Sequence, residues 1–143
     1  MEPEEAMFRE FELIQDVIER QANNSFRIKG WTVTLVVVAL IFRTNDFQLF
    51  GAFIPLIGFW GLDAYFLQQE KQYRMLYDWV RENRPENDDR RFDLDASRFE
   101  DCVRGVPGMM RSPTLLAFYG SIGVLLALYS IVVFSVNGGS VLG

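Results

Sequence analysis

The sequence of 143 residues contains no histidine. That single absence removes His-based metal sites, His general bases, and Ser-His or Cys-His nucleophile pairs. The only cysteine, Cys102, cannot form an intrachain disulfide. Positive charge is scarce, with 14 Lys and Arg against 19 Asp and Glu, and the net charge of -5 argues against general nucleic-acid binding. No Gly-rich phosphate loop is present, since Gly105-Val106-Pro107-Gly108 reads as a turn. The acidic run Asp88, Asp89, Asp93, Asp95 fails as a calcium loop. Counted from Asp93, Arg98 stands where Gly is required and Arg104 where a bidentate Glu belongs. A secretory signal is not expected, because Glu2, Glu4 and Glu5 open the chain and the first apolar block waits until Trp31. The expectation is a non-enzymatic protein with no cofactor and no metal.

What the sequence has is apolar residues gathered in blocks, with charge collected between them. Half of the residues are hydrophobic and 15% aromatic. This blockwise distribution is that of a membrane protein rather than of a globular core. The fold class expected is an all-α integral membrane protein with three transmembrane helices. The second of these organises the rest. Phe47 to Leu62 carries no charge, Asp63 interrupts, and Ala64 to Leu67 resume. About 20 such residues cross a hydrocarbon core of roughly 30 Å. No Gly or Pro falls between Ala64 and Arg84, so one helix from Phe47 to Asn83 should project beyond the membrane until Arg84-Pro85. Pro55 is expected to kink it.

Residues 4–24 form an amphipathic helix with Met7, Phe8, Phe11, Ile14, Val17 and Ile18 on one face and Glu10, Glu12, Asp16, Glu19 and Arg20 elsewhere. Its strongly acidic polar face disfavours anionic lipid and favours protein. After the polar step Asn23-Asn24-Ser25, residues 26–42 give a first span, with Arg27 and Lys29 snorkelling and Trp31 in the interfacial belt. Arg43-Thr44-Asn45-Asp46 is a polar turn, making spans 26–42 and 47–67 an antiparallel hairpin. Of the 14 Lys and Arg, only Arg43 lies in that turn. By the positive-inside rule the N-terminal segment and residues 68–112 are then cytoplasmic. The amphipathic helix should pack antiparallel on the extension of the second span, against Tyr73, Leu76, Tyr77 and Val80. The localisation expected is the cytoplasmic inner membrane, multi-pass, with the N-terminus inside and the C-terminus outside.

Arg84 to Arg91 reads as a solvated linker. Phe92-Asp93-Leu94-Asp95 alternates, which fits a short strand, an extended docking segment or a loop. Asp95 or Ser97 offers a cap for a short helix through Val103. Ser112-Pro113 supplies an N-cap and a proline at the first helical position. The third span occupies 113–136, of which Leu115 to Val136 is uncharged throughout, and 137–143 is a short external tail.

Three groups of residues invite a role. Gly120, Gly123, Ala127 and Ser130 on the third span, and Gly51, Pro55 and Gly58 on the second, make small faces for close helix packing, within one subunit or between subunits. Asp63 is the only acid inside a span; it either handles ions or pairs with Arg27 or Lys29 to fix the hairpin register. Gln21, Ser25, Lys29 and Thr32 follow a helical spacing, as an ordinary polar face or as a vestibule in a ring of subunits.

The segment Glu12 to Ile18, continued through Asn24-Ser25-Phe26-Arg27-Ile28-Lys29-Gly30-Trp31-Thr32-Val33-Thr34-Leu35, resembles the opening of a group of small, largely uncharacterised prokaryotic few-span membrane proteins. The pattern Leu62-Asp63-Ala64-Tyr65-Phe66-Leu67-Gln68-Gln69-Glu70 is similar to that group as well. In architecture the chain also resembles the few-span membrane effectors of prokaryotic anti-phage systems. These likenesses imply a homo-oligomer in the lipid bilayer that affects permeability or ion flux, with a cytoplasmic protein partner or small-molecule signal. A membrane anchor for a soluble partner is the alternative, and a small transporter the third reading.

Overall fold

The structure, a computed structural model, describes residues 2–43, 45–83 and 92–139. Four α-helices account for most of them: α1 (Pro3–Ile41), α2 (Phe53–Asn83), α3 (Val106–Met110) and α4 (Pro113–Gly139). Two 3-10 segments, Asp46–Ala52 and Ala96–Cys102, complete the set, and no strand occurs among the described residues. Three helices are long and apolar enough to cross a membrane, the pattern of a multi-pass membrane protein.

The amphipathic segment and the first span are one helix of 39 residues. The polar step does not break it, because Asn and Ser cost only a few tenths of a kcal/mol in a helix interior and no proline follows. By contrast, Phe47 to Asn83 is not one α-helix. Its first residues form the 3-10 segment Asp46–Ala52, capped by Asn45, whose side chain accepts a hydrogen bond of 3.0 Å from the Gln48 amide. Pro55 consequently stands in the first turn of α2, where the amide it lacks would have no partner within the helix. It starts the helix rather than kinking it.

Downstream of the undescribed residues 84–91, where the expected linker and Asp88 and Asp89 lie, Phe92 adopts a positive φ of 58°. Residues 92–95 are therefore a bend, not a strand. Asp95 does cap, accepting from the Ser97 amide at 3.0 Å, but the element it starts is 3-10. Val106–Met110 is helical where a simple turn was expected, since Pro107 near its start is preset for a helix. Among the described residues the buried Ser112 hydroxyl has no partner, so it does not cap α4. The first three residues of the expected tail, 137–139, continue α4.

Two apolar cores form along the molecule. One joins the distal halves: Ile14 and Ile18 of α1 with Leu76 and Val80 of α2, flanked by Phe11 and Tyr77 with ring centroids 4.6 Å apart. The helices run antiparallel there. Glu10, placed by periodicity on the polar side, is instead 2% exposed and accepts the Phe92 amide at 2.7 Å. The second core joins Val36, Leu56, Ala64, Leu115, Tyr119 and Leu126. Around it, large apolar side chains such as Ile54, Val124, Leu125 and Ile131 are exposed, as a lipid-facing surface would be. Between α1 and α4 an apolar groove of about 300 Å³ passes Val33, Val37, Leu40, Ile122 and Leu125. Arg43 closes one end by donating to the Tyr129 hydroxyl at 3.1 Å.

Because Pro55 replaces no intrahelical bond, Pro55→Ala should change thermal stability by less than about 1 kcal/mol, measured by unfolding of the purified protein in detergent. A gain well above that would return Pro55 to the role of a strained kink.

Candidate functional site: a carboxylate buried among three helices

Asp63 is fully buried on α2. A carboxylate there needs donors and a compensating charge, because desolvating an unpaired ion costs several kcal/mol. Lys29 of α1 provides both, its Nζ lying 2.6 Å from Asp63 Oδ2. The Ser25 hydroxyl, one turn earlier on the same face, donates to Asp63 Oδ1. Ser25 Oγ in turn accepts from Lys29 Nζ at 2.9 Å, so the hydroxyl bridges ammonium and carboxylate. The third donor comes from α4, where the Tyr119 hydroxyl reaches Asp63 Oδ2 at 2.8 Å. One carboxylate thus gathers groups from all three long helices.

The surroundings fix these groups. Tyr119 is fully buried, stacked on Trp60 at 6.0 Å between centroids and edge-on to Phe118 at 4.9 Å. Trp60 is oriented by donating its Nε1 hydrogen to the Met110 carbonyl at 3.0 Å, which ties α2 to α3. The Lys29 ammonium lies 5.9 Å from the Phe118 ring centre, a favourable cation–π placement. Thr32, also fully buried, donates to the Ile28 carbonyl at 2.8 Å. A cavity of about 320 Å³ reaches Ser25 and Lys29 from outside, with Glu70, Lys71 and Thr114 along its wall.

Of the expected ion pair, Lys29 is brought to Asp63 and Arg27 is not. Two residues from Lys29 on a helix is nearly the opposite face, and Arg27 lies exposed over a surface hollow shared with Asp16 and Glu19. Ser25, Lys29 and Thr32 turn toward α2 and α4 of their own chain, so the face expected to line a vestibule between subunits is covered within the protomer. Gln21 is half-buried, its Oε1 enclosed without a hydrogen-bond partner among the described residues. Gln68 and Gln72 of α2 are buried as well.

The small-residue faces divide. Gly123 meets Leu56, whose Cδ2 would lie 3.6 Å from an added Cβ. Ser130 is buried and donates to the Leu126 carbonyl at 2.7 Å. At Gly51, Gly58 and Gly120 nothing stands within 4 Å of an added Cβ, and Ala127 is exposed. Among the described residues there is no cluster of ligands for a metal ion.

Sequence reasoning missed Tyr119. An aromatic inside a charge-free run reads as lipid-facing, and its only signal is the position of its hydroxyl in an otherwise apolar stretch. The chain matches no protein-family model and no curated protein or solved structure.

Chemically, the arrangement is a neutralised ion pair whose carboxylate has three donors. Lys29→Met leaves a buried, uncompensated carboxylate and should destabilise the protein by roughly 3 kcal/mol, the low end for a buried pair because Lys29 keeps some contact with the cavity. The double variant Lys29→Met/Asp63→Leu should recover much of that loss. Tyr119→Phe, which removes one hydrogen bond to a charged group, should cost roughly 1.5–3 kcal/mol. Equal losses in the single and double variants, read by thermal unfolding, would contradict the charge-compensation account.

Proposed function

We propose that this chain is a non-enzymatic protein of the cytoplasmic inner membrane that assembles through its spans and acts on membrane permeability or ion flux. The observation that carries the reading is the unused packing surface of the membrane-type helices. At Gly51, Gly58 and Gly120 an added Cβ would meet no atom of the same chain within 4 Å, and Ala127 is exposed. Helix association in lipid rests on such close approach rather than on hydrophobicity. A second copy fits these faces. An orientation with the N-terminus inside follows from the Lys and Arg excess outside the Arg43 turn. The packed distal halves of α1 and α2 are then a cytoplasmic layer, fitted to receive a partner or a signal. Membrane defence against phage is the physiological setting that the architecture suggests.

Recruitment of a soluble protein by that layer is the second reading. The half-buried acidic helix α1 supports it, since an acidic face suits a protein partner better than anionic lipid. A transporter finds less support, because an inverted repeat is lacking in the sequence and its buried ion pair is internally satisfied.

The test is the subunit count by native mass spectrometry from mild detergent or nanodiscs, followed by conductance of the reconstituted protein. A closed oligomer of four or more with measurable currents is the expected outcome. A monomer would eliminate a pore, since three spans cannot enclose a water-filled path, and would leave the anchor. Gly58→Leu and Gly120→Leu should shift the count toward smaller species while leaving the protomer's helical content and unfolding temperature largely unchanged, because a Cβ at either position meets no atom of its own chain within 4 Å.

A further inference from the structure

A cavity of about 500 Å³ opens where the charged part of α2 passes the start of α4. Lys71, Arg74 and Arg104 line it, with Met109, Ser112 and Pro113 beside them, and no carboxylate belongs to the lining. In a chain of net charge -5, three cations lining one cavity, only Arg74 of them paired with an acid, is a local excess of positive charge. Glu70 takes Nε and Nη2 of Arg74, at 3.1 and 2.8 Å, and so leaves the Nη1 donors of that guanidinium. Among the described residues Lys71 and Arg104 have no ion-pair partner. One further donor belongs to a residue of the same lining. The Ser112 hydroxyl is enclosed with no hydrogen-bond partner.

We propose that this cavity is a binding site for a phosphate-bearing anion. Phosphate offers oxygens enough for a guanidinium fork and an ammonium together. The volume leaves room for an organic body, and Met75, Val103 and Met109 give that body an apolar wall. The site lies where charge-free helix gives way to charged helix: Lys71 is eight residues, about 12 Å of helix, beyond Asp63. At that level a phospholipid headgroup and a soluble phosphate ester both have access, and both present the same chemistry. Anion binding here needs neither a pore nor an oligomer, so it stands apart from the flux reading.

The experiment uses the full chain and two probes. Delipidated protein is titrated with phosphatidylglycerol, against phosphatidylcholine as the neutral control, and retention is read by native mass spectrometry. Inorganic phosphate, against chloride at equal ionic strength, is titrated in parallel by calorimetry. Lys71→Gln/Arg104→Gln should weaken binding by roughly fivefold for each cation removed. Arg9→Gln/Arg81→Gln, with the same change in net charge elsewhere, should leave it intact. Retention of phosphatidylglycerol alone assigns the site to lipid; a response to inorganic phosphate assigns it to a soluble ligand. A measurement on the wild-type chain avoids any dependence on the variants. Cys102 is exposed and lines the same cavity, so an occupied site slows its alkylation. No binding of either probe, binding equally weakened by the control pair, or an alkylation rate indifferent to both probes would overturn the proposal.

Discussion

A carboxylate placed where water cannot reach it imposes conditions on everything near it, and Asp63 is that group in this protein. Its charge must be matched and its oxygens must be given hydrogens. Those two requirements determine which face of α1 looks inward, because Ser25 and Lys29, one turn apart, must both arrive at the same two atoms. They also determine the rotation of α4, whose Tyr119 hydroxyl must meet the same acid. Apolar contacts alone specify little here, since Leu and Val side chains serve equally well against lipid and against one another. A polar junction of defined geometry supplies the specificity that a uniformly greasy interface lacks.

The junction explains how a third helix with no charge of its own finds a single seat. α4 is hydrophobic on every side, and its sequence prefers no face. Two tyrosines break that degeneracy from opposite ends, Tyr119 at Asp63 and Tyr129 at Arg43. Between them α1 and α4 part to leave the apolar groove, a seam that acyl chains would fill in a bilayer. The junction and the core around it therefore act as the fixed point, and the open seam and the exposed glycines as the adaptable margin.

Long-period features of this architecture were legible in the sequence. Blocks of charge-free residues located the three long helices, and the stripe of Ile14, Ile18, Leu76 and Val80 located the distal core. Asp63 stood out as an acid among apolar neighbours, and Lys29 could be named with it because both sit about one turn inside the neighbouring ends of their expected spans, 26–42 and 47–67. Arg27 could not be separated from Lys29 without knowing the rotation of α1, which only the buried side of Ile28 and Thr32 reveals. Tyr119 was invisible for a different reason: its partner lies 56 residues away, and no local pattern encodes that pairing. Pro55 was misplaced because a 3-10 segment leaves the same apolar signature as an α-helix, so the start of α2 could not be read from hydropathy. Glu10 was assigned to water by periodicity, although an amide from a bend 82 residues later covers it.

The continuity of α1 has a mechanical side. At about 1.5 Å per residue, its 39 residues make a strut nearly 60 Å long, close to twice the thickness of a hydrocarbon core. It carries no proline beyond its first turn, so it has no built-in joint. Ile14 and Lys29 are therefore fixed on one rigid rod, the first in the distal core and the second in the ionic junction. A tilt imposed at the acidic end meets no joint before it reaches the ammonium beside Asp63. Two regions that share no side-chain contact are geared together by the stiffness of a single helix.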